Sequence, residues 1–144
     1  MLFDPDNAVN KLCAEGMEME GKGELTASLQ LFTRAWDLAG NDAEKFIAAH
    51  YLARRQEDIA GKLYWDTIAL THAQKVTDTS VKGALPSLHL NIGKCYEDLG
   101  KYDLASEHYT QALAYANELG NDGYGSMIRK GIKKGIERIK DATL

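Results

Sequence analysis

Apolar residues recur every three or four positions along almost the whole chain, which is the period of an amphipathic α-helix. The segment 124–141 shows this most clearly, because Ile128, Ile132, Ile136 and Ile139 fall on one stripe while lysines and arginines cover the rest. Runs of alternating apolar and polar residues, which are typical of half-buried strands, are not evident. The pattern therefore predicts an all-α chain with helices of roughly 10 to 20 residues.

Turn-forming residues separate these helical segments at regular places. The candidate breaks are Gly21-Lys22-Gly23, Gly40-Asn41-Asp42, Ala60-Gly61, Asp78-Thr79-Ser80, Gly100 and Gly120-Asn121-Asp122. Gly23, Gly61 and Gly100 are 38 and 39 residues apart, and a glycine at a helix end permits a positive φ. Asp4-Pro5 predicts the start of the first helix, because aspartate accepts hydrogen bonds from free N–H groups and proline has none to leave unpaired.

The same spacing reveals an internal repeat. Residues 91–113 read NIGKCYEDLGKYDLASEHYTQAL, and moving them back by 77 positions places Gly93 on Gly16 and Tyr109 on Phe32. A shift of 40 positions places Gly93 on Ala53. Small residues at these places predict that the two helices of a pair approach closely, and three further alanines predict close contact with the next repeat. These alanines are Ala35, Ala73 and Ala112.

Seven residues of the third repeat match the tetratricopeptide repeat in type and spacing, and the chain resembles that family. They are Gly93, Tyr96, Gly100, Tyr102, Ala105, Tyr109 and Ala112. The resemblance implies an α-α superhelix, a solenoid of about three helix-turn-helix repeats over residues 9–42, 47–77 and 86–119, closed by a capping helix over 124–141. It also implies a single domain over residues 1–144 that mediates protein–protein interaction. More loosely, FIAAHYLARRQ and PSLHLNIGKCYEDLG resemble small bacterial proteins of this repeat class.

Charge is distributed unevenly along the chain. The 144 residues carry a net charge of −4, and 44% of them are hydrophobic, which is enough for one core. Residues 124–144 hold six basic and two acidic side chains, so their balance is +4 and that of the remaining residues is −8. The basic segment is either the solvated face of the closing helix or a docking surface for an acidic partner. The acidic remainder argues against nucleic acid as the partner.

The two cysteines and the lack of known motifs argue against a disulfide-stabilised, membrane-spanning or catalytic protein. Cys13 and Cys95 lie far apart in helical segments, which predicts buried thiols and favours a reducing, cytoplasmic setting. No apolar run reaches the roughly 18 residues that cross a bilayer, so we expect no membrane partner. Glycine-rich phosphate loops, Cys-x-x-Cys and His-x-x-x-His are missing from the sequence, so we expect neither enzyme activity nor a cofactor or metal.

A polar stripe in the second repeat is the candidate site. His50 and Arg54, followed by Glu57 or Asp58, recur at helical spacing within AAHYLARRQED. In the tetratricopeptide family, the positions that match His50 and Arg54 face a concave groove. The resemblance therefore assigns His50 and Arg54 to this groove, together with their equivalents Met17, Leu90 and Lys94. The helical stripe adds Glu57 and Asp58, and Asn91 is placed beside them.

The groove residues predict an acidic peptide or protein segment as the partner, and they also allow other roles for His50 and Arg54. An acidic side chain or a terminal carboxylate of a peptide would accept charge-assisted hydrogen bonds from Arg54 and Lys94. The leading hypothesis is therefore a non-catalytic adaptor that binds a peptide or protein segment. Alternatively, Arg54 only pairs with Glu57 or Asp58 at the surface, where such pairs contribute little. A small-molecule-sensing or enzymatic module built on His50 and Arg54 is the second hypothesis, and homodimerisation through an exposed repeat face is a further option.

Overall fold

The structure is a computed structural model that describes residues 2–144, and within them it contains seven α-helices, two short 3-10 helices and no strand. The α-helices are α1 (Ala8–Gly21), α2 (Leu25–Leu38), α3 (Asp42–Arg54), α4 (Ile59–Ala73), α5 (Leu85–Asp98), α6 (Tyr102–Ala114) and α7 (Gly123–Ala142), and the 3-10 helices are Thr79–Ala84 and Ala116–Glu118. The prediction of an all-α chain is confirmed. Among the described helices, none combines the length and apolar character that a membrane span requires.

Neighbouring helices pack in pairs, as the predicted helix-turn-helix repeats require. The chain divides into two compact units, of which the first ends at Asp78 and the second begins at Thr79. In the first unit α1 packs on α2, α2 on α3 and α3 on α4. In the second unit α5 packs on α6, and α7 packs on both. The repeat boundaries and the single domain over residues 1–144 stay predictions.

Close approach within two of the pairs depends on a glycine facing an aromatic ring. A Cβ atom added to Gly93 would lie 2.8 Å from Cε1 of Tyr109, and one added to Gly16 would collide with the ring of Phe32. Both rings are fully buried. The predicted role of these small residues is therefore confirmed. Tyr109 also meets α7, where a Cβ atom on Gly135 would lie 2.6 Å from its Cζ.

Two of the three predicted turn glycines adopt a positive φ, and the third does not. Gly23 has φ +77° and Gly100 has φ +75°, which only glycine adopts without strain. The prediction for Gly61 is wrong, because Gly61 lies inside α4 and its N–H donates to Oδ1 of Asp58 at 2.6 Å. Asp58 caps α4 in an extended conformation, so the chain reverses between α3 and α4 without a left-handed residue.

The first helix begins later than Asp4-Pro5 predicts. Residues 4–7 form a turn, in which Asp4 Oδ1 accepts a hydrogen bond from the N–H of Asp6. Helix α1 starts at Ala8, and Asn7 is its N-cap, with Oδ1 accepting from the N–H groups of Val9 and Asn10. Asn7 takes the role because its side chain can reach two free N–H groups at once.

The predicted capping helix over 124–141 is confirmed as α7. Its apolar stripe faces the helices below it, since Ile128, Ile132 and Ile139 are buried and Ile136 packs against the same clusters. The predicted burial of Cys13 and Cys95 is also confirmed.

Candidate functional site

An apolar hollow lies on the first unit between α1, α3 and the chain that precedes α1. Its volume is about 210 Å³, and it is lined by Phe3, Pro5, Asn10, Cys13, Ala14, Met17, Ile47 and Tyr51. Phe3 is 58% exposed and Met17 is 43% exposed, so the rim of the hollow is accessible. Burial raises the pKa of the Cys13 thiol to about 12, which keeps this group neutral at pH 7. The hollow therefore presents apolar side chains rather than a nucleophile.

The chain before α1 is held at the rim by one side chain. The Nδ2 group of Asn10 donates to the carbonyl oxygens of Leu2 at 3.2 Å and Asp4 at 2.9 Å. Leu2 is buried, whereas Phe3 points outward at the rim. These contacts fix Phe3 beside the hollow, although the sequence gives it no helical register.

A second concavity, the arginine cleft, lies where α2 begins and where α3 turns into α4. It has a volume of about 360 Å³ and is lined by Leu25, Thr26, Leu29, Arg54, Arg55, Gln56 and Glu57. Leu25 is 53% exposed and Leu29 is 37% exposed. The cleft thus combines accessible leucine side chains with two guanidinium groups, which suits an acidic and apolar ligand better than a purely apolar one.

Both arginines are paired with Glu20 of α1. Arg54 Nη2 lies 3.1 Å from Glu20 Oε1, and Arg55 Nε lies 2.8 Å from Glu20 Oε2. The alternative in which Arg54 pairs only with Glu57 or Asp58 is wrong, because Arg54 pairs with Glu20 of the neighbouring helix pair. The contact between Arg55 Nε and Glu20 Oε2 is close but not aligned as a hydrogen bond, and both atoms are buried. The attraction there is electrostatic and lacks the directional component of an aligned bidentate pair.

Arg54 connects the cleft with the hollow. Its guanidinium carbon lies 5.8 Å from the ring centroid of Tyr51, which lines the hollow and stacks on Phe32 with centroids 5.1 Å apart. The side chain of Arg54 is 48% exposed, and that of Glu20 is 11% exposed. Because a guanidinium carries five N–H donors, Arg54 keeps donors available for a ligand.

His50 does not present a charge to this surface. Its Nδ1 atom is buried without a hydrogen-bond partner, and its ring packs against Phe46 and Tyr51 at centroid distances of 6.5 and 5.3 Å. Burial, followed by the nearby charge of Arg54, lowers the pKa of His50 to about 4. The imidazole is therefore neutral at pH 7 and behaves as part of the packing.

The other predicted site residues divide between surface and structural positions. Glu57 lines the arginine cleft, whereas Asp58 is used as the cap of α4. On the second unit, Leu90 is half-buried against α7, where a Cβ atom on Gly131 would lie 3.1 Å from its Cδ2. Asn91 and Lys94 are exposed on α5, and Lys94 Nζ lies 2.5 Å from Asp98 Oδ1.

The sequence did not single out five residues that shape this surface. They are Glu20, Leu25, Leu29, Tyr51 and Arg55. Glu20 follows Met17 by three positions, so it lies on the same face of α1 as the residue that the resemblance assigned. The other four residues could not be identified from the sequence, because they come close together only through packing between helix pairs.

Comparison with known families identifies one segment of the chain. Residues 86–116 match the family model described as Tetratricopeptide repeat. This segment comprises almost all of α5, the turn at Gly100, and α6, and it confirms the resemblance carried by the third repeat. No curated protein and no solved structure matches the chain.

Proposed function

From the premise that this chain carries a tetratricopeptide repeat at residues 86–116, we propose that it is a non-catalytic adaptor that binds a segment of a partner protein. Tetratricopeptide repeats serve in general as protein-interaction modules, and stacked helix pairs offer extended surfaces for this purpose. The observation that carries the choice of surface is the joining of an apolar hollow and an arginine cleft through Arg54.

The partner segment that fits this surface has an apolar side chain next to a carboxylate. The apolar group enters the hollow between Met17 and Tyr51, where it removes exposed hydrocarbon from water. The carboxylate accepts hydrogen bonds from Arg54 in competition with Glu20. Glu57 opposes this anion because it lines the same cleft, so it limits affinity and restricts how many acidic groups the segment carries.

The alternative of a small-molecule sensor or enzyme at His50 and Arg54 has less support. A buried, neutral His50 is unsuited to meet a solvent-accessible ligand beside an exposed Arg54. Asn91 and Lys94 form a separate candidate contact on the second unit. Homodimerisation, a cytoplasmic location and the relation to small bacterial proteins stay predictions.

Selection from a random peptide library on the immobilised full-length chain tests the proposal. We expect the enriched peptides to pair an aromatic or aliphatic residue with Asp, Glu or a free C-terminus. Binding of one such synthetic peptide is then measured by calorimetry. We expect Met17→Glu and Arg54→Gln each to weaken it by about tenfold, which corresponds to roughly 1.4 kcal/mol. Glu57→Gln is expected to strengthen it.

Two control variants distinguish the loss of contacts at this site from the effect of changing the net charge of the protein. Met127→Glu alters an exposed methionine of α7, and Arg34→Gln alters an exposed arginine of α2 that lines neither concavity. Both are expected to bind the selected peptide as the wild type does. Peptides whose affinity is the same for wild type, Met17→Glu and Arg54→Gln would refute the proposed surface.

A further inference from the structure

Two histidines of the second unit are joined directly through their ring nitrogens. His89 on α5 is 4% exposed, and His108 on α6 is half-buried. Their Nδ1 atoms are 3.0 Å apart, which is a hydrogen-bond distance, and their ring centroids are 5.3 Å apart. This contact ties α5 to α6 at a place separate from the packing of Tyr109 on Gly93.

Two tyrosines enclose the histidine pair. Tyr115 stacks on His89 with ring centroids 5.8 Å apart and an angle of 11°, and it directly precedes the 3-10 helix Ala116–Glu118. Tyr96 of α5 stacks on His108 at 5.6 Å with an angle of 25°. The four rings therefore form one stack that joins α5, α6 and the chain after α6, with each imidazole in contact with one tyrosine.

The number of protons on the pair decides whether the contact can exist. One Nδ1 must carry a hydrogen and donate, while the other must be bare and accept. A single added proton is tolerated, because it can enter at Nε2 of the donor ring and leave the shared hydrogen in place. A second proton must enter at the accepting Nδ1. Both Nδ1 atoms then carry a hydrogen, so two N–H groups of two positively charged rings face each other and the hydrogen bond is lost.

We infer that the His89–His108 pair is a proton-operated latch between α5 and α6, closed while one Nδ1 is bare and opened when both rings are protonated. Opening separates the two helices at this contact and frees Tyr96 and Tyr115 from the stack. The tetratricopeptide repeat of residues 86–116 is then packed at neutral pH and loosened in acid. This regulation concerns the second unit and stands whether or not the first unit binds the proposed segment.

The groups around the two histidines determine how stability changes with pH. Burial, followed by the charge of the other ring, lowers the pKa of His89 to about 4 from its usual 6.5. Burial also lowers the pKa of His108, although Glu107 of α6 acts in the opposite direction. A histidine with a depressed pKa in the folded state stabilises the fold above the unfolded pKa, and this contribution is lost as pH falls. The loss is therefore expected between pH 6.5 and about 4.

Nitrogen NMR of the ¹⁵N-labelled full-length protein tests the latch directly. At pH 7 we expect one ring of the pair to be protonated at Nδ1 and the other at Nε2, with a scalar coupling between the two Nδ1 atoms. On acidification we expect the coupling to disappear together with shifts of α5 and α6 amides. Rings that titrate singly at ordinary values, or a second unit unchanged when both are protonated, would overturn the inference.

Variants give an independent readout in thermal melting. His108→Asn keeps a polar atom near the Nδ1 position but cannot take up a proton, so the melting temperature should depend less on pH. We expect the wild type to lose more of its melting temperature than this variant between pH 7 and 4, while the loss that comes from burial of His89 remains in both proteins. His72→Asn is the matched control, because His72 also bonds through Nδ1, to Asp42 of the first unit. Equal pH dependence in wild type and His108→Asn would contradict the latch, and if that variant fails to fold, the NMR titration of the wild type decides.

Discussion

Replacing Gly93 by alanine tests the contact that sets the distance between α5 and α6. The added Cβ would lie 2.8 Å from Cε1 and 2.9 Å from Cδ1 of Tyr109, whereas ordinary contacts begin at 3.4 Å. The ring has little room to move, because a Cβ atom on Gly135 of α7 would also lie 2.6 Å from its Cζ, and its hydroxyl donates to Glu97 Oε1 at 2.7 Å. The helices must therefore separate by several tenths of an ångström, and the surrounding core must follow.

Two opposing effects determine the size of the change at Gly93. Forcing an extra carbon into a packed core costs about 1–3 kcal/mol. Alanine, however, favours a helix interior over glycine by about 1 kcal/mol. We expect a net loss of about 1–2 kcal/mol of unfolding free energy, because the ring at 2.8 Å cannot yield freely. In a chain of this size, that loss lowers the melting temperature by about 2–8 °C.

Urea denaturation followed by far-UV circular dichroism measures this loss. Gly21→Ala is the control, because Gly21 is the last residue of α1 and has nothing within 4 Å of an added Cβ. It is expected to leave stability unchanged or to raise it. Both tryptophans, Trp36 and Trp65, lie in the first unit, so their fluorescence shows whether that unit responds as well. A Gly93→Ala protein as stable as the wild type would refute the close-contact reasoning.

Three further substitutions have defined outcomes. Asp66 is 5% exposed, and burial raises its pKa to about 7 from 3.8. Ionisation of Asp66 therefore lowers the free energy of unfolding by up to about 4 kcal/mol as pH rises from 4 to 7. Asp66→Asn should remove this loss, so urea titrations at pH 8 should show that the variant is more stable than the wild type. Equal stability of the two proteins would contradict the claim that the ionised Asp66 destabilises the fold. Gly100→Ala places a side chain at φ +75° and should destabilise by about 1–2 kcal/mol, which the same titrations at pH 7 measure. Asp122→Ala removes the cap that accepts from the N–H of Gly125 and should cost about 1 kcal/mol; thermal melting without a downward shift would contradict this role.

Local features of the sequence predicted much of the fold. The helical period and the glycines at helix ends act within one or two turns, so they predicted α7 and the reversals at Gly23 and Gly100. The shared spacing of Gly16–Phe32 and Gly93–Tyr109 predicted close packing, because the same hairpin geometry recurs in both pairs. Gly61 is the exception, since a strong N-cap at Asp58 placed the helix start before it.

The candidate site was predicted only in part, because it depends on contacts between helix pairs. Arg54 was identified from its stripe, but its actual partner Glu20 lies 34 residues earlier. No helical period relates two residues on different helices, so a local pattern favoured Glu57 or Asp58. The link between His89 and His108 was missed for the same reason, because the two residues lie on different helices. Burial of His50 likewise follows from the packing of Phe46 and Tyr51, which the stripe alone does not report.

The measurement that tests the central claim most directly is an amide NMR titration of the full-length protein with a library-selected peptide. A protein-interaction module that uses the hollow and the arginine cleft predicts saturable shifts at Ala14, Met17, Tyr51 and Arg54, with Met127 of α7 unchanged. Shifts confined to α7, or no saturable shift with any selected peptide, would contradict the account.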